Sequence, residues 1–465
     1  MPSIRHVILP DSGAGLLREE LDLAFSDLGL KVSRVKPELL RMKGLPKLEL
    51  EELLGNGPSL VLSINFEGLS TLKPLMEKMA LHRGAVAAWF VDNPWNILSG
   101  VRDPRWKQLP LFVTDAAFIP GLKREGAERV FHLPLAASPE FFSARAKQNG
   151  KPATVRELSP FVFVGRSVFP GKKKFFEGIT VPDILQKEAE TLLNQGLRPD
   201  FLWWEKRLYS NGLPPLSEAS GKHPVHVEGQ SPEEAAQARI RAHREKRKNA
   251  PGGDVQKKTG STTEITPPYN KNNNSASGYA APPVPVRFWP GKEARRPALG
   301  AEESALLWRT ACLREAATAG VALLQKGTHS GLDIFGDEGW QNLLPDSVRL
   351  HLPVDYYTRL PAIYAAARFS LCLTSLQLPS GLTQRNFDVW MAGGLGLTDA
   401  TPGLDIFPEE LTRYVRFSRP NDILAAAQRA EGYPGGRAKL IADWQNCLLE
   451  KHCYIHRAEE LLRHI

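Results

Sequence analysis

Short apolar runs recur along the chain at nearly even intervals. Residues 7–9, 59–65, 86–91, 112–115 and 130–136 each hold enough consecutive apolar positions for one buried strand, residues 31–35 with Val32 and Val35 fit another, and helix-spaced apolar residues lie between them, as over 16–28. Strands alternating with helices in this way predict a parallel sheet. The pattern restarts at 161–164 and continues at 331–335, 369–373, 395–398 and 415–417, with helices predicted over 302–317, at 364–367, from Asn421, and over 437–465. The fold class is therefore α/β, with two Rossmann-like parallel-sheet domains. The first domain is expected over 1–145 and the second over 158–436, followed by a closing helix over 437–465. Residues 211–300 break the rhythm. They are rich in Pro, Gly, Ser and Asn and have no apolar period, which reads as a disordered insertion in the second domain. One exposed helix is expected inside it, from the capping-box start Ser231-Pro232-Glu233-Glu234 to Lys248.

Charge changes this picture little. Of 465 residues, those between 241 and 300 hold 12 Lys and Arg against 4 Asp and Glu, an excess equal to the whole net charge of +8. The two domains are thus balanced, and nucleic acid is not an expected partner. The four cysteines form no C-x-x-C pair, and Cys372 falls within an apolar strand, as suits a reducing cytoplasm. No apolar run approaches the roughly 18 residues that span a bilayer, so no transmembrane segment is expected; contact with a membrane surface stays compatible with the sequence.

Candidate chemistry gathers where strands end. The turn Asp11-Ser12-Gly13-Ala14-Gly15 is one glycine short of a dinucleotide fingerprint, and the next strand ends in Lys36 rather than a ribose-binding acid, which disfavours NAD. Asp92, in the run Trp89-Phe90-Val91-Asp92-Asn93-Pro94-Trp95, sits where open sheets place active-site groups. It is the first candidate for a general base and Asp11 the second; a turn-capping carboxylate is the alternative for both. Gly165 and Arg166 follow the strand at 161–164 and place a cation beside flexible backbone. Trp340, after a glycine turn, offers either a stacking face for a base or a core residue. The densest cluster is 374–400. A loop with Pro379 and Gly381 is expected to open a helix capped by Thr383, whose free N–H groups would suit a phosphate. Arg385 and Asp388 should share one face of that helix, and Gly393 and Gly394 should end it.

The run Gln384-Arg385-Asn386-Phe387-Asp388-Val389, followed by Gly393-Gly394 and Leu397-Thr398-Asp399, resembles the C-terminal signature of the CgeB-like group of GT-B glycosyltransferases. Tyr356-Tyr357, Leu360-Pro361 and Tyr364 fit the segment before it, and His456-Arg457 the closing helix. The first half resembles the partner domain at Ser63-Ile64-Asn65, at Trp89 to Pro94, at Phe112 to Asp115 and at His132 to Ala136. The resemblance implies a donor site in the second domain that includes Gln384, Gly381, Gly165 and Trp340. Arg385 and Asp388 would hold the diphosphate and ribose of a nucleotide sugar, and Arg166 would face the donor phosphates. The acceptor, a saccharide or a protein, would sit on the first domain, across a cleft from the donor, and the resemblance also implies that the closing helix over 437–465 packs back towards the first domain. No D-x-D and no metal-ligand spacing occur, so neither a metal nor another cofactor is expected, and Arg and Lys would stabilise the leaving diphosphate. Ser380 stands where a retaining enzyme of the E-x7-E type has its first Glu. A nucleotide-sugar epimerase and a non-catalytic binding or scaffolding protein are the alternatives.

Overall fold

A computed structural model describes residues 4–13, 17–41, 45–55, 57–142, 158–209, 295–324 and 330–465. The insertion up to residue 294, its expected helix and Gly15 lie outside the described residues.

The first half forms a six-stranded sheet from β1 (His6–Pro10), β2 (Lys31–Val35), β3 (Ser59–Ile64), β4 (Ala85–Phe90), β5 (Pro110–Val113) and β6 (Arg129–His132). Their order is β2-β1-β3-β4-β5-β6 and every pairing is parallel. β1 and β5 are buried along their whole length and β3 and β4 at all but one position, so apolar residues there run nearly continuously instead of alternating. The second half repeats the plan with β7 (Phe161–Val164), β8 (Leu332–Phe335), β9 (Arg349–His351), β10 (Phe369–Cys372), β11 (Gly396–Asp399) and β12 (Arg416–Phe417), in the parallel order β12-β11-β10-β7-β8-β9. The two sheets are the pair of Rossmann-like parallel-sheet units expected from the sequence. β9 escaped the sequence pattern because it is a three-residue edge strand, Arg-Leu-His, with no apolar run.

Each sheet reverses its winding direction once. In the second, the chain leaves β7 towards β8 and later returns to its other side at β10, so the crevice at the carboxyl ends of β7 and β10 is the place where such sheets take ligands. A buried carboxylate shapes its floor. Asp399, at the end of β11, accepts hydrogen bonds from Thr374 N and Oγ1 and from Trp308 Nε1, each at 2.9 Å, with Arg198 Nη2 3.4 Å away. The chain leaving β10 is thereby held to β11.

Two helices differ from the pattern. The helix expected over 302–317 runs from Arg295 to Leu323 and buries Ala298, Leu299 and Ala301. Residues 295–300 therefore belong to the core and not to the insertion. A Cβ on Gly300 would lie 2.3 Å from the Trp204 ring, so only glycine lets this helix meet that indole. The closing helix is two, Gly436–Lys451 and Tyr454–Arg463. It breaks because Ala137 N donates to His452 O and Tyr454 N donates to Ala137 O, which turns the backbone into a bridge with the first half. Arg457 then donates to Pro134 O and Leu135 O.

Candidate active site

A cavity of about 300 Å³ opens between the two sheets. Asp92, Asn93 and Asn96 line it from the first half; Arg166, Glu302 and Arg309 line it from the second. Asp92 arrives there because β4 stops at Phe90 and Pro94 starts a short helix that Asn93 caps, its Oδ1 accepting Trp95 N–H at 3.0 Å. Asn65, in a left-handed conformation after β3, holds the carboxylate by donating Nδ2–H to Asp92 Oδ2 at 2.7 Å and accepting Val91 N–H at 3.0 Å. Asn93 Nδ2 donates across the cleft to Gln377 Oε1 at 3.2 Å. The first sheet thus presents a fixed carboxylate to a wall supplied by the second.

Arg166 faces Asp92's cavity with an exposed side chain, and its guanidinium has no partner among the described residues. Its loop is tied down by Arg309, which donates to Arg166 O and Ser167 O, both at 3.1 Å. Sequence reasoning missed Arg309, Glu302 and Gln377, because they reach the cavity from a helix and a loop remote in sequence. Burial pushes the Glu302 carboxyl up, against the opposing pull of Arg309 and Lys172. Burial likewise draws Arg309 down, with Glu302 opposing. The pair is 3.9 Å apart. Asp92 and Glu302 therefore bring two carboxyl groups, one from each half, to one cavity.

The stretch 374–400 is built differently from its sequence reading. Its helix spans Arg385–Met391, and Gly393 at φ 84° ends it, as expected. The helix start is not open to a phosphate. Thr383 N and Oγ1 both donate to Asn386 Oδ1, at 3.1 and 3.0 Å, which uses the group meant to face a ligand. Arg385 and Asp388 also diverge. Arg385 lies over the Phe163 ring and donates to Val164 O at 3.0 Å and Leu373 O at 3.2 Å, clamping the ends of β7 and β10 at the switch point. A Cβ on Gly165 would come within 2.9 Å of the Phe163 ring and 3.4 Å of the Arg385 guanidinium, so the glycine keeps this approach open. Asp388 points into the interior with 1% exposure, where Tyr356 Oη and Gln384 Nε2 donate to its two oxygens, both at 2.7 Å. Burial pushes its carboxyl well up. The ribose contact expected of Asp388 is replaced by these internal bonds.

The remaining expected site residues are likewise taken up by the protein. Gln384 donates to Ala136 O and accepts from Tyr454 Oη, joining three segments. Gly381 N and Ser380 N each donate to Asp115 Oδ2 at 2.9 Å, and Ser380 Oγ donates to Asp115 Oδ1. The loop assigned to phosphate oxygens thus holds a carboxylate from the first half, whose two oxygens present the same acceptor geometry. Asp11 is a turn carboxylate: Gly13 N–H donates to it at 2.7 Å and Arg18 Nη1 pairs with it at 2.5 Å, away from the cavity. Trp340 is core. It is 1% exposed, packs edge-on against Phe163 and donates Nε1–H to Gly165 O at 2.9 Å, leaving no face for a base. Among the described residues, no group of three His, Cys, Asp or Glu could hold a metal ion, and no helix is long and apolar enough to cross a membrane.

Residues 312–463 match the family model described as glycosyl transferase-like. The match covers about a third of the chain. It contains β8 to β12, the Arg385–Met391 helix and both closing helices. No curated protein sequence matches the chain. Among solved structures, the chain is similar to a UDP-forming α,α-trehalose-phosphate synthase from Burkholderia xenovorans, at 12% identity over 99% of each chain with a TM-score of 0.43. A counterpart from Burkholderia vietnamiensis shows 10% identity over 100% of this chain and 99% of that one, also at 0.43. A trehalose-6-phosphate protein from E. coli bound with UDP-2-fluoro glucose shows 11% identity over 99% and 98%, at 0.40. At these values the likeness carries neither donor nor acceptor over to this chain.

Proposed function

We propose that this chain is a glycosyltransferase that moves a sugar from a nucleotide-sugar donor to a saccharide or protein acceptor, without a divalent metal, in the cavity shared by Asp92 and Arg166. One observation carries the reading. The sheet that bears most of the glycosyl transferase-like match also bears Arg166, whose guanidinium has no partner among the described residues, and it faces a fixed carboxylate from the other half across one cavity. In the transfer, the acceptor oxygen forms a bond to the anomeric carbon while the bond from that carbon to the diphosphate oxygen breaks. Asp92 takes the acceptor proton, and the electron pair leaves with the diphosphate, whose growing charge Arg166 neutralises. Arg309 holds the Arg166 loop in place and adds positive potential behind it.

The order of residues from Gln384 to Asp399 supports placement in the CgeB-like group, and the four free cysteines, three of them buried, support a reducing compartment such as the cytoplasm. A thermal-shift screen with UDP, GDP, dTDP, CDP and ADP in EDTA tests donor binding, since a ligand of the folded state raises the melting temperature with its affinity. One nucleotide should stand out, and the matching sugar donor should be turned over in the same buffer. Absence of any shift refutes the proposal. Turnover lost in EDTA and restored by magnesium or manganese refutes metal independence.

The two carboxyl groups of Asp92 and Glu302 favour a second reading, a nucleotide-sugar epimerase with an acid and a base on opposite walls. Conversion of the donor's sugar in the absence of any acceptor would establish it.

A further inference from the structure

Glu302 takes no part in the proposed transfer step, yet its placement is costly. It belongs to the Arg295–Leu323 helix, is 5% exposed and lines the cavity between the sheets. Among the described residues neither of its carboxylate oxygens accepts a hydrogen bond of ordinary length, and neither is sealed from solvent, so the surface this side chain keeps opens on that cavity. The neighbours that could serve it are spent elsewhere. Arg309, 3.9 Å away, donates to Ala305 O, Arg166 O and Ser167 O. Gln377 donates to Ala298 O and accepts from Asn93, which leaves it only a weaker pull on the carboxyl. A nearly buried carboxyl without a hydrogen-bond donor costs free energy that a donor on a ligand would recover.

Asn96 is in the same condition on the opposite wall. It lies in the Pro94–Leu98 helix, is 8% exposed and lines the cavity, and its Nδ2 is open to solvent without an acceptor among the described residues. The cavity therefore offers an unmatched acceptor from the second half and an unmatched donor from the first. Hydroxyl groups, which both donate and accept, answer the two together. An ammonium group would leave Asn96 unmatched and would meet Arg166 and Arg309 on the same lining, with Lys172 close to Glu302. A phosphate would meet the Glu302 carboxylate, and no set of three metal-ligating side chains converges among the described residues. Val168, Phe169 and Leu378 add apolar wall, which suits the C–H faces of a sugar ring that carries such hydroxyls. Position selects which sugar. Arg166 is exposed and Glu302 buried, so the cavity runs from a cation at its open end to a carboxyl inside it. A donor with its diphosphate on Arg166 places its sugar inward, against Glu302.

Given the proposed transfer reaction, on which this rests, we infer that Glu302 is a specificity-determining residue for the transferred sugar, its carboxyl accepting from one hydroxyl of that sugar while Asn96 Nδ2 donates to another from the opposite wall. A site built to hydrogen-bond a hydroxyl rejects the analogue that lacks it, because its own polar group is then left unpaired.

The test is titration calorimetry of the full chain with UDP-glucose, UDP-galactose and UDP-N-acetylglucosamine against UDP, GDP-mannose against GDP, dTDP-glucose against dTDP, CDP-glucose against CDP and ADP-glucose against ADP, with turnover followed for the same donors. For the pair that the wild type uses, Glu302→Gln should weaken the sugar nucleotide by about tenfold, a neutral hydrogen bond replacing a charge-assisted one, and leave the nucleoside diphosphate nearly unchanged. Asn96→Ala should weaken the sugar nucleotide alone by about three- to tenfold. Among donors lacking each sugar hydroxyl in turn, one should lose affinity for the wild type and lose markedly less for Glu302→Gln, the signature of two groups in contact. A wild type that binds no sugar nucleotide refutes the transfer reaction and this assignment with it. A wild type that transfers, while Glu302→Gln or Asn96→Ala keeps the full preference for sugar nucleotide over nucleoside diphosphate, refutes the assignment alone. Loss of kcat with sugar-nucleotide affinity intact would make Glu302 an acid–base group, and loss confined to the acceptor's KM would move the hydroxyl to the acceptor; either overturns it. Should Glu302→Gln fail to fold, Glu302→Asp decides, since it keeps the charge beside Arg309 but draws the oxygens back from the cavity: an undiminished preference for the sugar nucleotide overturns the assignment.

Discussion

Asp115 joins the two halves at one buried point, and its removal should cost more than any other single side chain in the cleft. The residue lies two positions beyond β5 with 1% exposure, caps the turn that follows by accepting Ala117 N–H at 2.9 Å, and accepts Ser380 N–H, Gly381 N–H and Ser380 Oγ–H from the opposite half. In Asp115→Ala, Ala117 N–H is half-buried and can turn to water. The three donors of the Ser380 loop lose a charged acceptor, and hydrogen bonds of that kind are worth about 1.5–3 kcal/mol each. Water entering the vacated space returns part of that loss, which leaves a net destabilisation of about 2–4 kcal/mol. Asp115→Asn retains one acceptor oxygen and should cost roughly half as much. Urea unfolding followed by tryptophan fluorescence measures both, and the order should be wild type, Asn, Ala. A midpoint for Asp115→Ala within about 0.5 kcal/mol of wild type, the ordinary range of surface substitutions, would show that the two halves do not depend on this contact.

Arg166→Ala should weaken nucleoside diphosphate binding by about ten- to a hundredfold with almost no change in the urea midpoint, because the exposed guanidinium has no partner among the described residues to lose; equal affinity in titration calorimetry would remove it from the donor site. Asp92→Asn should lower kcat by at least about a hundredfold while leaving donor affinity intact, as expected of a base acting on the acceptor; unchanged turnover would move that role elsewhere. The raised Asp388 carboxyl makes stability depend on pH, since an acid whose folded-state pKa lies above its unfolded value contributes stability at low pH that is lost as pH rises through the folded value. Asp388→Asn, neutral throughout, should therefore gain on wild type in urea midpoint between pH 5 and pH 8, and a difference constant with pH would contradict the assignment. Gly300→Ala should be severely destabilising, because its Cβ would sit 2.3 Å from the Trp204 ring; a melting temperature equal to wild type would place that helix differently.

Eleven of the twelve described strands were legible in the sequence, most of them because a parallel sheet covered on both faces needs apolar runs such as those of Ser59–Ile64 and Phe161–Val164, although Lys31–Val35 has none. The exception, Arg349–His351, is held by pairing to β8 and not by an apolar run of its own. Helix ends were less legible. The Arg295–Leu323 helix buries its first turn through the fit of Gly300 against Trp204, and the break at His452 depends on Ala137, more than 300 residues earlier. Neither cause is local. Residue type and position marked Asp92 and Arg166 as chemically useful, because a carboxylate at a strand end and an arginine beside a glycine carry that information in their own neighbourhood. Direction was decided by tertiary structure alone. Asp388 turned inward because Tyr356 and Gln384 offer it two donors, Arg385 because the carbonyls of Val164 and Leu373 end two strands beside it, and Gly381 met a carboxylate because the first half brings Asp115 there. Buried polar groups must be satisfied by whatever the fold places within about 3 Å, and that neighbour comes from a distant part of the chain.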